Sequence, residues 1–310
     1  MVRRKKRETF VLDKIHDEIE QSHATRRGLY EQLESVWGMP VVYFATSFSY
    51  PVMIEEEDAE TLEAILRECD LSKGLVLLLS SPGGDIVAAE KIVNICRSYS
   101  GTGEYWAVVP QQAKSAATMI CLGASRVLMS PTSEMGPIDP QIMTSEDGER
   151  KVFSVNDLIS SYDDLFGRAT RETGHIEPYL QQLDRYDERE IVKMRRVCQL
   201  TADLAVGILK TGMMQSKSKE QIRAMISGLL SPDVTKTHDR PIRLADAEKL
   251  GLIVERIDLR DTTWSLVYEL WARMDFYVSN QDTAKCIECK EHSFVTEFEE
   301  GEEEEEEDVE

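Results

Sequence analysis

Long apolar runs are missing from this 310-residue chain: none approaches the roughly 18 residues of a membrane span. The basic cluster Arg3-Arg4-Lys5-Lys6-Arg7 is not followed by the apolar segment of a signal peptide, so the sequence reads as cytoplasmic. Positive charge is scarce, with 36 Lys and Arg against 57 Asp and Glu and a net charge of −21. Eleven of those acids lie in residues 296–310, and without them the charge is −10. The Glu302–Glu307 run is expected to be disordered by self-repulsion. So acidic a chain is a poor binder of nucleic acid, and the basic N-terminus reads as a solvated end. Six cysteines, at 69, 96, 121, 198, 286 and 289, are too scattered for a disulfide framework and read as reduced. Cys286 and Cys289 with His292 make three ligands where a structural zinc wants four, and no second CxxC exists. The expectation is no metal and no cofactor, with these thiols in a loose tail. There is no internal repeat and no ATPase motif, so any unfolding or regulatory partner would be a separate chain.

What the chain does have is concentrated between Leu75 and Ile138. Leu75-Val76-Leu77-Leu78-Leu79 is an unbroken apolar run of strand length, as in a strand buried on both faces. Ser80-Ser81-Pro82-Gly83-Gly84-Asp85 follows, and then Ile86, Ala89, Ile92 and Val93 recur at helical spacing. A buried strand, a glycine turn and a helix start bring backbone N–H groups to the carboxyl end of a sheet, an arrangement suited to an anion or oxyanion. The pattern recurs at Tyr105–Val109, closed by Pro110, and leads to Ser115 at the head of an apolar helix. A serine there is either an N-cap or a nucleophile at the positive end of the helix dipole.

Around this centre the remaining elements can be placed by periodicity. Residues 1–39 read as polar helix, 41–46 as the first strand, 55–71 as an amphipathic helix and 126–129 as another strand. Residues 130–141 are turn-rich, of the kind that builds sites. Residues 153–229 are helical in pattern, too long for a simple crossover, and suit an arm, an oligomer contact or a gate. A short helix at 245–250 ends at Gly251, and 252–254 is a last strand. Alternating strands and helices predict an α/β fold with parallel strands. The expected organisation is a helical N-terminal extension over 1–39, a main domain over 40–260 containing the 153–229 block, and a C-terminal extension over 261–310.

Ser81-Pro82-Gly83-Gly84, Ala113-Lys114-Ser115-Ala116-Ala117 with Leu122-Gly123, Met135-Gly136-Pro137-Ile138-Asp139-Pro140-Gln141 and Thr237-His238-Asp239-Arg240-Pro241-Ile242 occur in that order. Together they resemble the serine dehydrogenase proteinase family, a Clp-like group related to signal peptide peptidase A. The resemblance covers roughly residues 40–260. It implies a ClpP/crotonase-like ββα spiral fold and a serine peptidase working through an acyl-enzyme. It puts the nucleophile at Ser115 and an oxyanion hole at the backbone N–H groups of Gly84 and Ala116, with Gly83 supporting the turn.

The family's Ser–Asp–His order is supplied by Ser115, Asp139 and His238, whereas Clp proteases carry the His where Asp139 stands. A triad is defined by geometry and role, so the exchange is chemically acceptable. His238 would be the general base and Asp139 would orient it. Each has a bland rival: His238 as a loop residue bonded to backbone, Asp139 as a turn cap. Asp239 is a rival orienter. Lys151, 36 residues after Ser115, is the rival base of a signal-peptide-peptidase-type dyad, although its charged neighbourhood suits a solvated side chain. Lys114 reads as solvent-facing, and His16, His23, His175 and His292 earn no role. The implied partners are a peptide or protein substrate and further copies of the chain. Two other classes remain open: an acyl-CoA enzyme of the same fold, disfavoured by the lack of a basic cluster for CoA phosphates, and a non-catalytic Clp-fold scaffold.

Overall fold

In a computed structural model, the described residues are 11–17, 22–49, 52–146, 149–171, 174, 176–231, 237–238, 240–280 and 283–297. Twelve strands are placed among them: β1 Val41–Thr46, β2 Leu75–Ser80, β3 Tyr105–Val109, β4 Gln112–Ala113, β5 Arg126–Met129, β6 Glu134–Met135, β7 Gln141–Glu146, β8 Glu149–Ser154, β9 Ile242–Arg243, β10 Val254–Arg256, β11 Thr283–Cys289 and β12 Ser293–Glu297. Seven form the main sheet in the order β10-β5-β3-β2-β1-β11-β12. Its first five strands run parallel, and β11 and β12 are added antiparallel. This is the α/β architecture that the sequence and its resemblance imply.

The apolar run of β2 shows why the strand pattern is unbroken. Side chains alternate between sheet faces, and both faces are covered. Leu75, Leu77 and Leu79 enter one core, with Leu62, Leu66, Ile92, Val93, Met119, Ile120 and Leu209 from the helices Glu56–Arg67, Ile86–Tyr99, Ala116–Gly123 and Glu188–Thr211. Val76 and Leu78 enter a second core, with Leu29, Tyr30 and Leu33 from the helix His23–Trp37 and Trp264, Val267, Leu270 and Met274 from the helix Thr262–Asn280.

That second core changes the expected organisation. The stretches 1–39 and 261–310, read as extensions, contribute the two helices that cover one face of the sheet and two of its strands. Left uncovered, that face would expose β-strand residues that bury about 1.5–3 kcal/mol each. Cys286 and Cys289 therefore sit in a fully buried strand and not in a loose tail. The polar residues that made this segment look peripheral are matched internally. Arg26 binds Glu288 in a fork at 2.7 and 2.6 Å, Tyr30 donates to the same carboxylate at 2.8 Å, and Arg26 lies over the Tyr277 ring. Lys285 is held by Glu55 and Asp58, both at 2.9 Å. The acidic run Glu302–Glu307 lies outside the described residues.

The 153–229 block is helical as expected, with helices at Val155–Arg171, Glu177–Leu183, Glu188–Thr211, Lys219–Met225 and Ser227–Leu230. It is preceded by an unforeseen hairpin, β7–β8, in which Gln141 pairs with Ser154 and Thr144 with Lys151.

Candidate active site

A three-stranded sheet too short to stand out in the sequence frames the site. β4 runs parallel to β6, and β9 runs antiparallel to β6, with Ala113 opposite Met135 and Met135 opposite Ile242. Ser115 follows β4 by two residues and Asp139 follows β6 by four. His238 precedes the antiparallel β9 by four. All three chain segments therefore leave the same end of this sheet, and none must span more than about 14 Å to reach a common point. Thr118 tightens the frame: its Oγ1 donates to Ala113 O and Gly136 O at 2.8 and 3.0 Å and accepts from the Gly136 N–H at 3.1 Å.

Ser115 is the one non-glycine residue with positive φ among the described residues, at φ 51° and ψ −118°. Such a conformation costs of order 1–3 kcal/mol and persists only where surrounding contacts impose it. The residue stands at the N-cap position of the helix Ala116–Gly123, yet its hydroxyl makes no capping bond. The bland reading of this serine as a cap thus fails on geometry. Its half-buried Oγ makes no hydrogen bond to any described residue, His238 included.

The glycine turn is pressed against this serine. Ser81 exchanges backbone bonds with the segment just before it, accepting from the Lys114 N–H at 2.9 Å and donating to Gln112 O at 3.2 Å. A Cβ on Gly83, at φ 115°, would come within 2.6 Å of Ser115 Cβ. A Cβ on Gly84, at φ 155°, would meet Ile54 backbone atoms at 2.2–2.7 Å. The Gly83 N–H is already donated to Ser81 Oγ at 3.1 Å, so this glycine's part is to make room and shape the turn. The N–H groups of Gly84 and Ala116 make no bond to described residues, leaving two backbone donors beside Ser115.

His238 and Asp139, 99 residues apart in sequence, meet through Nδ1 and Oδ1 at 2.8 Å. Asp139 is buried and His238 partly exposed. Asp139 Oδ2 accepts from Ser154 Oγ at 3.1 Å and Gln141 Nε2 at 3.3 Å. Among the described residues Asp139 accepts from no backbone N–H, and His238 meets a carboxylate, which departs from both bland readings. Ser154 and Gln141 form the base of the hairpin and were not singled out from sequence. The signal available was Asp147-Gly148 between Ile142-Met143 and Val152-Phe153, a hairpin-turn dipeptide flanked by apolar residues.

Lys151 lies in β8, three residues before Ser154. Lys114 is not solvent-facing: its Nζ reaches Glu134 Oε1 at 2.6 Å and Met135 O at 3.4 Å, with both side chains largely buried. The pairing offsets a cation at a helix start and fastens the segment before Ser115 to β6. Asp239 and His175 lie outside the described residues. Among the described residues no cluster of three metal-ligating side chains occurs, and no helix is long and apolar enough to cross a membrane.

Comparisons with known proteins bear on this site. The model of a family described as ClpP-like SDH-type serine proteinases matches residues 9–150. That stretch contains Gly83, Gly84, Ser115, Ala116 and Asp139 but not His238. Two uncharacterized proteins of Methanocaldococcus jannaschii are 24% and 22% identical over 223 and 220 residues, which is 71% and 70% of this chain. The match spans 64% and 61% of those relatives' own lengths, less than two thirds of either. A solved structure of a mutant membrane-bound stomatin-specific protease is 19% identical, covering 46% of this chain and 69% of that one, with a TM-score of 0.30.

Proposed function

Starting from the match of residues 9–150 to the model of the ClpP-like SDH-type serine proteinases, we propose that this chain is a serine endopeptidase with a Ser115–His238–Asp139 triad. The observation that carries the reading is the Asp139–His238 hydrogen bond, on chain segments that leave the same end of one short sheet as a strained serine with no capping bond. In the tautomer with Nδ1 protonated, His238 donates that proton to Asp139 and keeps the Nε2 lone pair free for Ser115. Ser115 Oγ attacks the scissile carbonyl carbon while its proton passes to Nε2. The oxyanion is held by the N–H groups of Gly84 and Ala116, aided by the N-terminal end of the Ala116–Gly123 helix. Collapse breaks the C–N bond, and the departing amine takes the proton from His238. Water then enters by the same route in reverse and releases the acyl group. Asp139 stays ionised and holds the ring orientation throughout.

Ser115 and His238 share no hydrogen bond in this structure. Catalytic bonds commonly tighten only once substrate is bound, so an occupied site is proposed to bring Nε2 onto Oγ. The working protein is proposed to be cytoplasmic and homo-oligomeric, with peptide or protein substrates and, if it unfolds them, a separate ATPase partner.

The test is labelling with a fluorophosphonate probe. Labelling is expected in the wild-type chain, lost in Ser115→Ala, reduced at least 10³-fold in His238→Ala and retained in Lys151→Ala. Loss with Lys151→Ala and retention with His238→Ala would move the chemistry to a Ser–Lys dyad. Absence of labelling in folded wild-type protein would overturn the peptidase reading in favour of a scaffold.

A further inference from the structure

Two adjacent glycines put no steric limit on how the peptide between them is turned. Only one orientation of the Gly83–Gly84 peptide offers the Gly84 N–H to an oxyanion, so other groups must fix it. We propose that the buried hydroxyls of Thr46 and Ser81 are positioning residues that, with the Ile54 backbone, hold this peptide with its N–H toward the oxyanion. The inference rests on the serine peptidase reading above and adds to it two side chains outside the triad.

The restraints act on both polar groups of Gly83. Its carbonyl accepts from the Ile54 N–H at 2.8 Å, and Ile54 O accepts from the Asp85 N–H at 2.8 Å, so that Ile54 brackets Gly84 as a parallel bridge partner. In a trans peptide the N–H lies opposite the C=O. With Gly83 O held on Ile54, the Gly84 N–H is directed away from Ile54. The Gly83 N–H donates to Ser81 Oγ at 3.1 Å, and the same oxygen accepts from Thr46 Oγ1 at 2.8 Å. Both hydroxyl residues are fully buried.

Ser81 is itself fixed from behind. Its backbone bonds to Gln112 and Lys114 tie it to β4 and to the segment entering Ser115, and Pro82 holds a set φ between Ser81 and Gly83. Thr46 ends β1, in register with Lys285 of β11. A chain of bonds therefore runs from the main sheet through Thr46 and Ser81 to Gly83, next to the peptide that carries the donor. Without Ser81 Oγ the buried Gly83 N–H loses its acceptor, and one of the two restraints on the turn is gone. A flipped Gly83–Gly84 peptide would present a carbonyl oxygen to the developing negative charge where a donor is needed. That opposes the bond-forming step and leaves the binding of a neutral acylating or phosphonylating group untouched.

The experiment follows the time course of fluorophosphonate labelling of the full-length chain over a range of probe concentrations. This separates probe binding, KI, from the bond-forming step, kinact. Ser81→Ala is expected to lower kinact by about 10²-fold and Thr46→Val by roughly tenfold, with KI unchanged. Thr46→Ser keeps the hydroxyl and should restore most of the rate. A purely structural role would lower the thermal midpoint without splitting kinact from KI. The proposal is overturned, with the peptidase reading left standing, by folded Ser81→Ala and Thr46→Val proteins that label at the wild-type rate. A rise in KI alone, or Thr46→Ser behaving like Thr46→Val, would overturn it equally. If Ser81→Ala does not fold, the near-isosteric Thr46→Val set against Thr46→Ser decides. Folded wild-type protein that takes no label would remove the peptidase reading and this inference with it.

Discussion

A carboxylate has two oxygens, and the use of both by Asp139 determines what its substitutions should do. Oδ1 serves His238, and Oδ2 accepts from Ser154 and Gln141. Asp139→Asn keeps the volume but offers a donor where Nδ1–H needs an acceptor, which selects the wrong imidazole tautomer. Fluorophosphonate labelling should fall by about 10³–10⁴-fold with little change in thermal midpoint. Ser154→Ala removes one bond to the far oxygen and should lower labelling by roughly tenfold or less, the worth of one hydrogen bond. The two glycines fail differently. Gly84→Ala would drive a methyl into Ile54 backbone, which cannot swing aside, and should destabilise the fold by about 2–4 kcal/mol in denaturant titration. Gly83→Ala would press on Ser115 itself, so its labelling should fall even in protein that remains folded.

At the scale of elements, the helix Thr262–Asn280 carries a burial conflict. Asp275 is half-buried beneath the sheet, near Tyr43, and desolvation raises its carboxyl above the usual aspartate range. A carboxyl whose folded pKa exceeds its unfolded one contributes stability below the unfolded pKa, and this is lost as pH rises through the folded value. At neutral pH the ionised Asp275 therefore weakens the packing of this helix on β1. Asp275→Asn should raise the thermal midpoint at pH 7 by about 2 °C, with the gain vanishing near pH 3. Elements with strong local signals were legible in the sequence. The runs 41–46 and 105–109 are the strands β1 and β3, because continuous apolar residues there meet cover on both faces. The hairpin β7–β8 was not, since charged residues such as Glu149, Arg150 and Lys151 interrupt its alternation. The two-residue strands β4, β6 and β9 carry no period that a sequence could display.

For the whole molecule, segments far apart in sequence share one layer. The helices His23–Trp37 and Thr262–Asn280 jointly cover one sheet face, and β11 lies between β1 and β12. The Arg26–Glu288 fork joins them in the interior. Removing everything from Thr283 onward should therefore unfold the protein, not trim an appendage, as read by loss of a cooperative thermal transition. Glu288→Gln should cost about 3–5 kcal/mol by leaving the Arg26 guanidinium buried without its carboxylate, measured by urea unfolding.

The sequence by itself determined the α/β class, the strand–glycine-turn–helix unit at 75–99 and the serine at the head of a buried helix. Each is written locally, in hydrophobic period and in turn residues adjacent along the chain. It also ranked Ser115, Asp139 and His238 as partners, but through resemblance and not through any local signal. Only the tertiary structure decided that Asp139 meets His238, that Ser115 is strained and uncapped, that Lys114 is paired, and that the C-terminal segment belongs to the sheet. These depend on contacts between residues about 20 to more than 260 positions apart, and on a backbone conformation imposed by packing. Neither is encoded in the neighbouring residues.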